Sequence, residues 1–301
     1  MKILVCSDGS ERSRRALASA AVIAAATKAE TTILGITEIE QGEGGLLETL
    51  REQATAFQEK EPKLQIVTKS GDIVAEIIRE TRESIYDLVV IGAERRGREE
   101  FFLPSTKAYS IAEAISPPVL VVPRSRPNLK RILICSGGGP YIDNAVRFTS
   151  KMAKDLSADV TLLNVIPEPP AMHATLFRRQ DDVEALLNSD SALARNLRTE
   201  KGIVEQAGVS VIVRIRHGIV IDQILAELER IDYDLVVAGS WPVRDPWRNY
   251  IIGNVTRDIV NRTNRPVLVI RSDKEPASLA ARLRSVIIKL AGKPDYLPRM
   301  S

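Results

Sequence analysis

Three groups of residues in the first half of the chain have the types and spacing to hold a ligand carrying sugar hydroxyls and phosphates. Asp8 follows the apolar run Ile3-Leu4-Val5-Cys6 and directly precedes Gly9 and Ser10. A carboxylate at the end of a buried strand can accept hydrogen bonds from sugar hydroxyls. The same carboxylate could instead balance the dipole of the helix that starts after it. Gly92 ends a second apolar run, and Gly97 lies in the polar loop that follows. Small residues there let backbone N–H groups approach phosphates. Ser105 and Thr106 stand where a further helix begins, so N–H groups and a hydroxyl would meet the positive end of its dipole.

The elements that must position these residues occur twice. Tyr86-Asp87-Leu88-Val89-Val90-Ile91-Gly92 returns as Tyr233-Asp234-Leu235-Val236-Val237-Ala238-Gly239, and KILVCSDGS at the N-terminus returns as RILICSGGG from Arg131. The offset is 129 at Ile3 and Ile132, 147 at the tyrosines and 148 at Pro118 and Pro266. A nearly constant offset over this length signals a duplicated domain, since solenoid repeats have periods of about 20–50 residues. Each run of apolar, β-branched residues ending at Gly reads as a strand buried on both faces of a parallel sheet. The Gly and its loop then lie at the carboxyl end of the strand, where open α/β sheets bind ligands.

Taken in order, the first unit reads as strand (3–7), helix capped by Ser10, strand (31–37), helix, strand (64–71), helix opened by Asp72, strand LVVIG, loop, helix (106–115) and strand PVLVV. The second repeats the plan, with a longer, mostly helical excursion between Val165 and Gly218 and with Trp241 and Trp247 in its polar loop. Alternating strands and helices predict an α/β fold, a doubly wound parallel sheet in each half with right-handed crossovers. The expected domains span 1–125 and 130–272, joined by RSRPNLK, with a C-terminal amphipathic helix and tail over 273–301. Leu279, Leu283, Val286, Ile287 and Leu290 form one stripe of that helix, which would pack back on the domain or take a partner.

Composition excludes several function classes. The 42 basic and 39 acidic residues nearly balance, at a net +3, which points away from nucleic-acid and membrane surfaces. No apolar run approaches the roughly 20 residues a bilayer requires, and the chain enters a strand too early for a signal peptide. A cytoplasmic protein is expected. Cys6 and Cys135 sit at equivalent positions of the two first strands, as small buried hydrophobes of separate cores rather than a disulfide pair. His173 and His217 stand in no metal or nucleophile spacing, and no HExxH, CxxC or GxSxG occurs. Neither a metal site nor a catalytic residue is expected.

Together, DGS after the first strand, the Gly-containing loop after the fourth, a Ser-bearing helix start and PVLVV resemble the universal stress protein family, twice in tandem. The resemblance implies five parallel strands per domain in the order 3-2-1-4-5, an adenine nucleotide alpha-hydrolase-like architecture. It also implies a stress-response regulatory role without turnover and ATP as the ligand, with Mg only as the companion of ATP. By the same resemblance Asp8 would contact ribose, Ile36 would line the adenine pocket, Ile91 and Gly92 would flank the nucleotide, and Gly97, Ser105 and Thr106 would serve the phosphates. The second, more eroded site would comprise Val165, Gly239, Gly253 and Asn254.

Both halves depart from the family's G-x2-G-x9-G-[ST] loop. In the first, Gly97 comes one residue early and Pro104 stands where the last Gly belongs, removing a backbone donor. In the second, Gly137 replaces Asp8, Pro242 replaces a loop Gly, and Gly253-Asn254 come one residue late. The alternative is a nucleotide-free dimerisation or adaptor module of the same fold. A third reading starts from CSGGGPYIDN, similar to the SGGxDS loop of ATP pyrophosphatases; Gly139-Pro140-Tyr141 stand where that loop needs Asp and Ser. Strand five of each copy, Val119–Val122 and Val267–Ile270, would be an unblunted apolar edge, so the halves are expected to pair through it as a pseudo-dimer. The resemblance also allows a homodimer.

Overall fold

The first five strands and their helices follow the pattern that the apolar runs dictate. Lys2–Ser7 forms β1, Glu11–Thr27 α1, Glu30–Thr37 β2, Glu43–Gln53 α2, Leu64–Ser70 β3, Ile73–Glu83 α3, Leu88–Gly92 β4, Ser105–Ala114 α4 and Val119–Val122 β5. This is a computed structural model, and it describes residues 1–38, 42–57, 63–93, 105–123, 128–139, 142–167, 183–240 and 254–271. The expected side-chain caps are present. Ser10 accepts from Ser13 N–H at the start of α1, and Asp72 accepts from Ala75 N–H at the start of α3. Helix α2 stops earlier than its sequence suggests, because the last turn tightens into a 3-10 segment over Ala54–Phe57.

The second half repeats the order with one addition. Arg131–Ser136 is β6, Asp143–Leu156 α5, Asp159–Ile166 β7, Val183–Asn188 α6, Ala192–Gln206 α7, Val211–His217 β8, Val220–Arg230 α8, Leu235–Ser240 β9, Asn254–Arg262 α9 and Val267–Arg271 β10. Helices α6 and α7 stand where the first half has α2 alone. The C-terminal stripe, Trp241, Trp247 and Pro104 lie outside the described residues.

The ten strands of the described residues belong to one sheet, in the order β3-β2-β1-β4-β5-β10-β9-β6-β7-β8. Within each half the strands are parallel and their order is 3-2-1-4-5. The halves meet at the one antiparallel pairing among the described residues, with Val121 opposite Val267, Leu120 opposite Leu268 and Val119 opposite Val269. Helices pack across this junction on both faces, α1 against α5 and α4 against α9. Arg271 adds a hydrogen bond from Nη1 to Ile115 O at 3.3 Å.

Alternation along the strands sorts the core into two layers. Ile3, Val5, Leu88, Val90, Leu120, Leu268, Val237 and Ile134 face α1, α2, α5 and α7. Leu4, Cys6, Val89, Ile91, Val119, Val121, Val267 and Val236 face α3, α4, α8 and α9. The expectation of a separate core for each half is therefore corrected. Because β5 pairs with β10, each layer runs unbroken through both halves, and Cys6 and Cys135 belong to the same one. Both thiols are unbridged, and burial pushes the Cys135 thiol up to about 12 and the Cys6 thiol higher still.

Candidate functional site

In a doubly wound sheet the strands that flank the point where the order reverses open a crevice at their carboxyl ends. In the first half that point lies at β1, between β2 and β4. The register sets Ser7 beside Gly35 and Cys6 beside Ile91, so Asp8 follows β1 at the level of Ile36, and Gly92 lies level with Ser7, one residue below. Gly9 turns the chain at φ +79°, and Ser10 starts α1. Asp8 is partly exposed, and its Oδ1 accepts from Ser10 N–H at 3.0 Å. Its second oxygen has no partner among the described residues. Beneath it the turn is pinned: Ser7 Oγ accepts from Gly9 N–H and donates to Ser13 Oγ at 2.8 Å, while Gln53 Nε2 donates to Gly9 O at 2.7 Å.

Ile36 and Ile91 are both buried in the α3/α4 layer. They form apolar flooring beside the carboxylate rather than an exposed wall. Helix α4 begins at Ser105, so its N-terminus belongs to the segment that leaves β4, as expected. The side chains of Ser105 and Thr106 lie outside the described residues, and so does Gly97.

The corresponding edge of the second half is built differently. Gly137 brings no carboxylate. Val165 is buried near the end of β7, and Gly239, the last residue but one of β9, lies against Ile142, whose Cδ1 would lie 2.9 Å from any added Cβ. Thr256 Oγ1, in the first turn of α9, donates to Gly239 O at 2.7 Å. Asn254 is the first residue of α9, its side chain and the whole of Gly253 lying outside the described residues. Below β6, Ser136 Oγ donates to Glu200 Oε1 at 2.9 Å and accepts from Gly138 N–H. Asn164 Nδ2 donates to Ser136 O, and Asn196 Nδ2 donates to Gly138 O at 2.7 Å. Glu200 is 0% exposed, and burial raises its carboxyl to about 7; the Ser136 hydrogen bond opposes the shift and the nearby charge of Asp143 adds to it.

Glu200, Asn164 and Asn196 escape a reading based on strand ends and glycines. A signal for Glu200 is nevertheless present, since it falls on the stripe of Leu197, Ile203 and Val204 that buries α7. A second missed constellation also recurs. Glu80 accepts from Tyr86 Oη and Lys69 Nζ, both at 2.7 Å, and Glu227 accepts from Tyr233 Oη at 3.1 Å and Arg216 Nη1 at 2.8 Å. All three positions repeat at the offset of 147, so this carboxylate–tyrosine–cation group belongs to the scaffold of the repeat. Burial works against ionisation of Glu80, yet the hydrogen bonds from Lys69 and Tyr86 hold it below the usual carboxylate value. Among the described residues no group of three or more His, Cys, Asp or Glu could hold a metal ion, and no helix is long and apolar enough to cross a membrane.

The repeat, the strand order and the two edges can now be set against known proteins. The universal stress protein family matches residues 1–123 and again 128–271. The chain belongs to that family. A universal stress protein of Methanocaldococcus jannaschii is 24% identical over 146 residues, covering 48% of this chain and 84% of that protein. The crystal structure of a universal stress protein from Archaeoglobus fulgidus superposes with a TM-score of 0.65 at 18% identity, covering 90% of this chain and 98% of the other. A functionally unknown protein, PA1789 from Pseudomonas aeruginosa, gives 0.61 at 18% identity, with 96% and 97% covered. At these identities the structural likenesses show a shared fold, which extends across both halves of this universal stress protein.

Proposed function

We propose that this protein is a stress-response regulator that binds an adenine nucleotide, ATP, at the carboxyl edge of its first half and has no turnover of its own. The observation that carries the reading is the contrast between the two edges. The first offers the Asp8 carboxylate with one oxygen fixed by Ser10 N–H, above a pinned turn and beside the apolar ends of β2 and β4. The second has Gly137 in its place, and Ile142 and Thr256 close on Gly239. In this reading Asp8 takes the ribose hydroxyls, Ile36, Ile91 and Gly92 bound the adenine side, and the N-terminus of α4 with Gly97, Ser105 and Thr106 faces the phosphates. Mg accompanies ATP only as its counterion. The two domains act as an internal pseudo-dimer joined by β5 and β10, in the cytoplasm, with any further homodimer formed elsewhere on the surface.

A second reading, a nucleotide-free adaptor, draws on the departures in the loop after β4 and on the large joined sheet. Calorimetry with ATP on the full chain separates the two. Asp8→Asn keeps an acceptor for Ser10 N–H but loses the charge, and Asp8→Ala loses both. A hydrogen bond to a charged group is worth about 1.5–3 kcal/mol, so both variants are expected to bind ATP roughly 10- to 150-fold more weakly than the parent. Equal affinity in parent and variants would remove Asp8 from the site. Absence of binding by the parent, with no nucleotide found by mass spectrometry of the denatured protein, would leave the adaptor.

A further inference from the structure

The least expected side chain in the molecule is Glu200. It sits on the buried stripe of α7, in the half whose ligand edge lacks a carboxylate, with Oε1 bonded to Ser136 Oγ at 2.9 Å. Its other oxygen, Oε2, is buried and has no hydrogen-bond partner among the described residues. A buried carboxylate ordinarily needs a cation or several donors. Here one hydroxyl is the sole hydrogen-bond partner found among the described residues.

The first half provides an internal comparison. Leu46 approaches Gly9 there as Leu193 approaches Gly138 here, an offset of 147, and the same offset takes Gln53 to Glu200. Gln53 also leaves its Oε1 buried without a partner, but its amide secures the turn by donating to Gly9 O. The repeat thus puts a neutral amide in one copy and a titratable carboxyl in the other, beneath the same strand end. In the second copy the task of holding the turn passes to Asn196, one turn earlier on α7, which donates to Gly138 O at 2.7 Å.

We propose that Glu200 is a proton-controlled latch: when neutral it docks α7 beneath the carboxyl end of β6, and when ionised it loosens that helix and the strand ends it covers. Among the described residues the groups around it give no compensation for a charge. From β6 it meets the Ser136 hydroxyl, and β7 contributes the Asn164 amide, committed to Ser136 O. From α5 the acting charge is Asp143, which is of like sign. Helix α6 carries Glu184, exposed at its start. Strand β8 carries Arg214 and Arg216, both paired with Glu227 on the opposite face, and His217, which alternation from Val213 and Ile215 puts on the face of α7. The sign follows from linkage. A carboxyl held at about 7 when docked, against 4.5 when free, favours the docked state below 4.5 and loses that preference as pH rises from 4.5 to 7.

Hydrogen exchange on the full chain tests this, followed at the α7 amides and corrected for intrinsic rates. Opening of α7 should become about tenfold more frequent between pH 6 and pH 8, while amides of α1 show no such step. Glu200→Gln should flatten the dependence and His217→Asn should leave it in place. Ser136→Ala should move its midpoint to higher pH, because the lost hydrogen bond favoured the charged form. The proposal is overturned if Glu200→Gln keeps the step, if His217→Asn abolishes it, if Ser136→Ala leaves or lowers the midpoint, or if every helix shows it equally. In the last case the charge would act on unfolding of the whole chain.

Discussion

Val121→Asp puts the joining of the two halves under direct strain. Val121 is 1% exposed, opposite Val267 in the antiparallel pair. An ionised carboxylate there would bring a penalty of several kcal/mol, on top of about 1.5–3 kcal/mol of lost apolar burial. That exceeds what a three-pair ladder can retain, so β5 and β10 should part. The second half would then lose the cover of Val267, Leu268 and Val269. If each gives up about half of the 1.5–3 kcal/mol available to a buried side chain, that half loses roughly 2–4 kcal/mol. Both tryptophans, Trp241 and Trp247, are in the second half, so their emission reports on it although the substitution is in the first. In urea at pH 7 the tryptophan midpoint should fall by about 1–2 M, taking roughly 2 kcal/mol/M as the slope. At pH 5 the shift should shrink, because a neutral carboxyl is less costly to bury. Val121→Thr should do less at both pH values, a lone hydroxyl costing about 1–3 kcal/mol. A tryptophan midpoint unmoved in Val121→Asp, with circular dichroism showing the first half destabilised, would refute the coupling.

Other consequences are reachable by chemical denaturation. Glu227→Ala should cost about 3–5 kcal/mol, since it takes the buried carboxylate from Arg214, Arg216 and Tyr233, and Glu80→Ala should cost less because its side chain is 11% exposed against 1% for Glu227. The contribution of Glu80 should be present above the usual carboxylate value and disappear as the solution is acidified, because its folded value is lowered; a denaturation midpoint for Glu80→Ala that tracks the parent with pH would contradict this. Gly138→Ala should destabilise by about 1–2 kcal/mol, as φ is +69° and the new Cβ meets Leu193, whereas Gly202→Ala inside α7, with nothing within 4 Å of its Cβ, should stabilise by about 0.5–1 kcal/mol. Reversed signs for these two would show that α7 or the turn before it is held otherwise.

The elements were legible because burial on both faces leaves a strong mark. LVVIG and LVVAG, stopping at Gly, admit little but central parallel strands, and Ser10 and Asp72 announce the helices they cap. The duplication was readable from the offsets alone. Two things were not. The merging of the cores depends on which edges meet, and β5 shows only an unblunted apolar edge in the sequence, not the layers on either side that it makes continuous. The second edge was described by what it lacks, Gly137 for Asp8, because loss is visible in a motif. The filling of the same space by Ile142, Asn164 and Glu200 is not, since their side chains come from three elements far apart in sequence. Glu200 in particular reads as a helix-surface charge until its place on the stripe of Leu197 and Val204 is noticed.

The two copies inside one chain also show which parts of the unit are tied to folding. Asp87 and Asp234 each accept from the backbone at the start of their first strand, Lys2 N–H in one copy and Arg131 N–H in the other. Glu80 and Glu227 keep their tyrosine and their cation, and Ser7 and Ser136 each accept from the glycine two residues on. These contacts brace the sheet, and losing the buried Glu–Tyr pairs would strand a buried polar group. Among the positions that differ between the copies, four lie at or beneath the carboxyl edge: Asp8 and Gly137, Ser13 and Ile142, Gly35 and Asn164, Gln53 and Glu200. At each, the second copy removes an anion from the crevice or adds bulk or a buried acid beneath it. Space explains why they change together. Gly35 has no room for a side chain, since a Cβ would lie 2.5 Å from Leu50 Cδ1, whereas the second copy admits Asn164 and uses it to bond Ser136 O. Once that side chain and Ile142 occupy the end of the sheet, a carboxylate at position 137 would have no pocket to serve. The asymmetry therefore belongs to the packing as much as to the motif, and it is what favours the edge beside Asp8 in the function proposed above.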